Sequence, residues 1–275
     1  MIARLRRDAA AVAGLLIVVA AVAVATFAPA LAPGDPIKNS LLDRLNPPSN
    51  EHVLGTDTLG RDVASRMLYG ARVSLIVGLS AVVLAGAVGV ALGLISGWYR
   101  GWIDDLVMRL GDVQLAFPVL VLAVAVLAVL GGSLLNLIIV LGLTSWITYA
   151  RIVRGEVLTL RERDFVAAAR ALGAGDSWIL RRHLLPNVLP PITVVATFSV
   201  ARTIIAEASL SFLGLGIPAP EPSWGAMLDE GRNYITTGWW LALFPGVAIL
   251  LLVLGINLVG DWLRDVLDPR MERGV

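Results

Sequence analysis

The chain has 275 residues, of which 57% are hydrophobic and only 16% charged, with a net charge of +1 and no cysteine. A soluble domain carries about a quarter charged residues, so this balance excludes an ordinary soluble protein. It also gives no electrostatic footprint for nucleic acid, and the missing cysteines exclude disulfides, thiolate metal sites and thiol catalysis. The two histidines, His52 and His183, stand far apart without motif context, which argues against a zinc or haem site. The single lysine, Lys38, follows Pro36 and Ile37. The GxxxxGK[ST] loop that cradles nucleotide phosphates is therefore missing, and work driven by ATP must come from another subunit.

The first residues carry Arg4, Arg6 and Arg7 and precede an apolar stretch from Ala9 to Leu31. That core is longer than the roughly 7–15 residues of a signal-peptide core. It reads as a retained transmembrane helix, although Ala28-Pro29-Ala30 faintly resembles a cleavage site. Residues 32–71 are polar and rich in Pro and Gly. Within them GTDTLGRDVASRMLYGAR reads as a short amphipathic helix lying along the membrane interface. Thr56, Asp57 or Thr58 would cap it, and Leu59, Val63 and Met67 form its apolar stripe. Asp57–Arg61 and Asp62–Arg66 are opposite charges at i, i+4.

Further spans read at Val73–Gly97, Leu115–Leu130, Leu134–Ala150, Val188–Leu210 and Trp240–Gly260, which makes six. In the second, Gly89, Gly93 and Gly97 recur every four residues and present a flat face to a neighbouring helix. Phe117-Pro118 opens the third span, and Gly131-Gly132 turns the chain into the fourth. With the N-terminus inside, most of the 22 Lys and Arg fall on the inner side, as the positive-inside rule requires. Ser211–Trp239 reads as an outer loop that partly dips back, with Trp224 at the interface. Glu221, Asp229 and Glu230 are solvated charge there, or contacts for an external partner. Asp261, Arg264, Asp265, Asp268 and Arg270 read as an end-cap to the sixth span.

Between the fourth and fifth spans lies RIVRGEVLTLRERDFVAAARALGAGDSWILRRHLLPNVLPP, from Arg151 to Pro191. Loops this long are functional or disordered, and this one is patterned. Phe165, Val166, Ala169 and Leu172 recur at helical spacing. Gly173 stops that helix, Asp176 or Ser177 caps a second one through Trp178, Ile179 and Leu180, and Pro186 breaks it. The segments group as 1–71 (tail, first span, outer loop with its interfacial helix) and 72–275 (a transmembrane domain with the loop at 151–187). The fold class is all-α, a polytopic bundle of six transmembrane helices.

Ala167-Ala168-Ala169, three residues, Gly173, nine residues, then His183-x-Leu185-Pro186 resembles the EAA loop of ABC importer permeases. Ala167 stands where Glu is usual, and His183 where Ile is usual. His52–Leu75, Glu207–Leu228 and Asn257–Arg270 resemble the dipeptide/oligopeptide/nickel branch of that family, in its C-type subunit. The resemblance implies a type I importer permease in a bacterial cell membrane, with both termini cytoplasmic. It implies partnership with a homologous permease chain, two cytoplasmic ATPases that bind the ATP, an extracytoplasmic solute-binding protein and membrane lipid. Its cargo would be short peptides, nickel chelates or glutathione-like solutes, and the chain itself would be no enzyme and hold no cofactor.

Carried onto this sequence, ATPase coupling falls to Phe165, Ala167, Ala168, Ala169, Arg170, Leu172, Gly173, Leu185 and Pro186. Arg161, Arg163, Arg170, Arg181 and Arg182 would meet acidic groups at the rim. Arg202 and Glu207 fall in or near the fifth span, where a charge costs a few kcal/mol (about 3 on insertion scales). They read as facing the translocation pathway, with structural pairing as the alternative. About 140° apart on a helix, they are not obvious mates. An ion-driven transporter would need an inverted repeat and intramembrane acids. An intramembrane enzyme would need catalytic sets inside the spans, and neither pattern is seen.

Overall fold

The structure is a computed structural model and describes residues 8–267. Arg4, Arg6, Arg7, Asp268, Arg270 and Arg273 lie outside the described residues. The elements are α1 (Ala9–Leu31), α2 (Val63–Tyr99), α3 (Gly101–Leu115), α4 (Val119–Leu130), α5 (Leu134–Leu160), α6 (Asp164–Ala171), α7 (Asp176–Ile179), α8 (Leu185–Phe212), α9 (Trp224–Arg232) and α10 (Trp240–Leu267). Five helices are long and apolar enough to cross a membrane: α1, α2, α5, the continuous run from α7 through α8, and α10. The remaining position is filled by α3 and α4, bent by 86° at their junction. We call the end of the bundle carrying residues 161–184 the lower end, and the opposite end the upper.

Three expectations change. The interfacial helix does not exist as a separate element: residues 63–72 are the first turns of α2, which is 37 residues long. A division at residue 71 therefore falls inside a helix. The cap is Asp62, whose carboxylate accepts the Ser65 N–H at 2.7 Å, and residues 56–62 form a tight loop closed by a Thr56–Asp62 bridge. The third span does not begin at Leu115. Pro118 ends the turn between α3 and α4 because it restricts the residue before it and brings no N–H, and α4 has only 12 residues. Pro186 does not break the second loop helix either: the chain continues through it into the fifth span. A π-helical turn, Leu180–Leu184, precedes α8, and the Leu185 N–H reaches back to the Leu180 carbonyl. That widened turn shifts the hydrogen-bond register just where proline lacks a donor, so the helix continues.

The glycine face behaves as its spacing implies. A Cβ on Gly89 would lie 2.4 Å from the Trp146 carbonyl oxygen, and one on Gly93 would lie 2.6 Å from that of Ala150. One on Gly97 would lie 2.9 Å from the Val157 Cβ. Contacts advance in the same direction on both helices, so α2 and α5 run parallel, backbone against backbone. Small residues permit this approach where lipid supplies no hydrophobic drive between helices. α3 is tied to the pair by a fork of Arg154 on Asp104, at 2.5 and 2.6 Å. Gln114 joins it, accepting from the Trp146 indole at 2.8 Å.

At the upper end a buried charge cluster closes the bundle. Asp57, fully buried, accepts the backbone N–H groups of Leu59 and Arg61 at 2.8 and 2.9 Å. Its other oxygen takes the Arg61 Nε at 2.6 Å and also the Arg66 guanidinium. Both arginines reach on to Glu230 of α9, at 3.2 and 2.8 Å, and the Thr58 hydroxyl donates to Glu230 as well. Two acids balance two bases, so the cluster is neutral. The expected Asp62–Arg66 pair is not formed, because Asp62 is occupied as a cap. Trp224 is no interface anchor but a buried core residue, and its indole donates to the Met67 carbonyl at 3.0 Å. Glu230 is likewise not a solvated loop charge.

Two outcomes follow. Gly93→Ala places a Cβ against an immovable carbonyl, and overpacking of this kind costs about 1–3 kcal/mol. We expect its melting midpoint in detergent to fall by several degrees. Gly86→Ala, whose Cβ would meet nothing closer than Tyr149 at 3.9 Å, is expected to leave the midpoint unchanged. Burial alone would push the Glu230 carboxyl up, but the Arg66 charge, the Thr58 hydroxyl and Arg61 outweigh it and hold it below the usual carboxylate range. A lowered folded-state value stabilises above the unfolded carboxylate range, and that contribution is lost as pH falls through the folded value. Glu230→Gln is expected to cost about 3 kcal/mol at neutral pH. It should also flatten the acid limb of the stability curve, measured by thermal melts from neutral pH downward.

Candidate functional site

The lower ends of α2 and α5 project a platform. Trp98 on α2 and Val153 and Val157 on α5 are buried there, together with Val166, Ala169, Ile179, Leu184 and Val188 from the following segment. α6 lies on this platform because Val166 and Ala169, three residues apart, share one face. Asp164 sits in its first turn and Arg170 in its last, signs that suit the helix dipole. The helix ends at Gly173, with φ +84°. The Gly173 N–H donates to Arg170 and the Ala174 N–H to Ala169, at 2.9 and 3.0 Å, the paired closure of a Schellman motif. Neither Asp176 nor Ser177 caps α7: Gly175 holds that position, without a side-chain bond.

The outward face comes from the sequence-predicted coupling residues, in part. Phe165, Ala167, Ala168, Leu172 and Gly173 are exposed, Leu172 at 89%. Leu172, Gly173 and Trp178 line a shallow apolar cleft with Ala174 and Gly175. A second depression beside Trp178 is lined by Ser177, Arg181 and Arg182. Ala169 is buried in the platform and borders the inner edge of that cleft. Leu185 is half-buried and Pro186 exposed, both on the continuing helix.

The arginines divide. The Arg170 guanidinium lies over the Trp98 ring, 4.5 Å from its centroid, as a cation–π pair. Arg161 donates to the Trp98 carbonyl at 2.9 Å and pairs with Glu162 at 3.1 Å. Both are thus engaged within the chain, whereas Arg163, Arg181 and Arg182 stay exposed. His183 sits between two aromatic rings, 5.7 Å from Phe165 and 4.9 Å from Trp178, centroid to centroid. This stack ties α6 to the π-helical turn. Sequence reasoning missed it, and the only signal was an unusual histidine with two aromatics ahead of it in the loop.

Arg202 and Glu207 are not brought together. Arg202 is exposed on α8. Glu207 is fully buried and accepts from Ser74 at 3.2 Å and from Ser211 at 2.8 Å.

Fold and site together define a polytopic helical membrane subunit that carries a short helix, α6, and a glycine turn packed across one end of its bundle. Residues 89–273 match the family described as binding-protein-dependent transport system inner membrane component. Residues 1–48 match the N-terminal transmembrane domain of oligopeptide transport permease C. The chain belongs to this permease family, and it is a membrane permease subunit of the ABC importer class. It is 45% identical over 98% of its length, and 88% of the relative's, to the dipeptide transport system permease protein of Alkalihalophilus pseudofirmus. It is 44% identical to the glutathione transport system permease protein of Pectobacterium atrosepticum, over 98% of this chain and 90% of that one. A putative peptide transport system permease protein of Brucella abortus is 47% identical over 98% and 90%. An inward-facing methionine ABC transporter shares the fold at a TM-score of 0.58 and 19% identity, covering 74% of this chain and 96% of its own.

Gly173 and Gly175 both open onto empty space for a Cβ, but only Gly173 has positive φ. A non-glycine residue in that region costs about 1–2 kcal/mol. Gly173→Ala is therefore expected to speed amide exchange across Asp164–Ala171 by about fivefold or more, whereas Gly175→Ala leaves it unchanged.

Proposed function

We propose that this chain forms one half of a translocation pathway beside a homologous permease, and that α6 and α7 are the handle by which a cytoplasmic ATPase grips it. The observation that carries this reading is Leu172, which protrudes beside a shallow apolar cleft on a platform fused to the two longest-packed helices. An exposed leucine on a rigid helix has the form of a docking anchor, and Arg163, Arg181 and Arg182 supply charge for an acidic rim. With the platform at the cytoplasmic side, both termini are cytoplasmic too. The upper loops then face a solute-binding protein. ATP would be bound by two ATPase subunits, since the lone Lys38 leaves this chain without a phosphate-binding loop. We place the N-terminal unit at 1–62 and the permease body from Val63 onward.

The relatives' names support a short peptide or glutathione-like cargo. Arg202, exposed on a spanning helix, is the residue we assign to the pathway, where its charge suits a substrate carboxylate. Glu207, enclosed by serines, we assign to holding α2 and α8 together.

Co-purification with the ATPases tests the handle. Ala168→Asp and Leu172→Asp are expected to lose the ATPases by at least tenfold while the permease pair stays assembled. Retained ATPase binding in both variants would leave the loop as a helix resting on lipid headgroups. In the same preparations Arg202→Gln should keep every subunit yet lower ATP-dependent peptide uptake severalfold.

A further inference from the structure

We propose that the groove between α1 and α2 at the upper end is a binding site for one anionic phospholipid. Its walls are two matched helical stripes: Val22, Thr26 and Pro29 on α1, and Arg72, Ile76 and Leu79 on α2. Each stripe follows i, i+4, i+7 spacing and so lies on one face of its helix. Ala25 and Leu75 are buried at the floor. The Gly34 N–H donates to the Ser65 hydroxyl at 3.1 Å, which joins the C-terminal end of α1 to the N-terminal end of α2. The two helices are therefore antiparallel, and Arg72 lies toward their joined upper end, with the apolar stripes running down into the membrane.

The groove thus has the polarity of a lipid, a cation above an apolar trough. Val22, Ile76 and Leu79 are all more than a third exposed along it. None of the ion pairs among the described residues involves Arg72, and it is exposed. Arg61 and Arg66, close in sequence, are by contrast each paired with acids. A guanidinium at this depth extends toward the headgroup layer and matches phosphate with a two-pronged donor set. A headgroup with net negative charge is favoured because the site offers one positive charge and no carboxylate partner.

Native mass spectrometry of the assembled transporter tests this, released from nanodiscs holding equal phosphatidylglycerol and phosphatidylcholine. The wild type is expected to retain one phosphatidylglycerol per chain, about fivefold over phosphatidylcholine, the preference one interfacial cation gives. Arg72→Gln should abolish the preference. Val22→Trp, at an exposed position, should fill the trough and reduce retention of either lipid. Equal retention by the wild type, or a preference untouched by Arg72→Gln, would overturn the proposal. So would a cross-link from Ile76→Cys, the only thiol in that variant, to another polypeptide in place of lipid.

Discussion

Everything at the lower end depends on how closely α2 and α5 approach. A spanning helix cannot borrow water for its backbone, and lipid gives helices no hydrophobic reason to associate. What remains is packing, and packing improves with proximity. Gly89, Gly93 and Gly97 remove the side chains that would hold the helices apart, so Trp146, Ala150 and Val153 meet bare backbone. The seam continues to Gly97 against Val157, at the point where both helices deliver Trp98 and Val157 to the platform. The short helix α6 is therefore seated on the end of a shaft whose two rods cannot slide without a carbonyl clash. On the proposed reading, a push on the platform would be carried into the bundle as a rigid displacement.

The upper end uses a different device. A charge cluster is costly to bury, and each of its ions must be satisfied from all sides. Asp57 accepts two N–H groups and two guanidinium groups, and Glu230 takes both arginines and a hydroxyl. Because these residues come from the upper loop, the start of α2 and α9, the cluster fixes three segments by geometry that apolar packing alone would not specify. Glu207 repeats the logic a little deeper: Ser74 and Ser211 give its two oxygens one hydroxyl each, binding α2 to α8.

Much of this was legible in the chain. Hydropathy alone placed α1 at Ala9–Leu31, and the spacing of Val166, Ala169 and Gly173 gave the helix and its stop. What escaped were features decided by distant partners. Nothing near Arg61 and Arg66 says that their counterion is Glu230, so a buried loop looked like an amphipathic surface helix. Pro186 looked like a break because the rule for proline assumes regular α-helical bonding, and a π-helical turn suspends that assumption. The bend between α3 and α4 was hidden because hydropathy measures the length of an apolar run and not its direction. Exposure was half legible: spacing put Ala169 in a series with Phe165 and Leu172, but the platform divides that series between an inner and an outer face.

The module's internal bonds bear on how it moves. Phe165 belongs to α6 and His183 to the turn leading into α8, and their contact, with Trp178 also against the histidine, crosses the Gly173 turn. Besides this contact, the two sides of the glycine corner are held by the buried packing of Val166 and Ala169 with Ile179 and Leu184. Arg170 on Trp98 and Arg161 on the Trp98 carbonyl fasten α6 to the end of α2 at two further points. Isoleucine, usual in related loops at the position of His183, would fill the volume but offer no ring for edge-on aromatic contact. Here the elbow is fixed by aromatic geometry, while the residues that protrude, Leu172, Arg163, Arg181 and Arg182, are spared from internal duty. If, as proposed, the protruding residues are what an ATPase grips, force applied to them would reach the helices through the internally bonded ones.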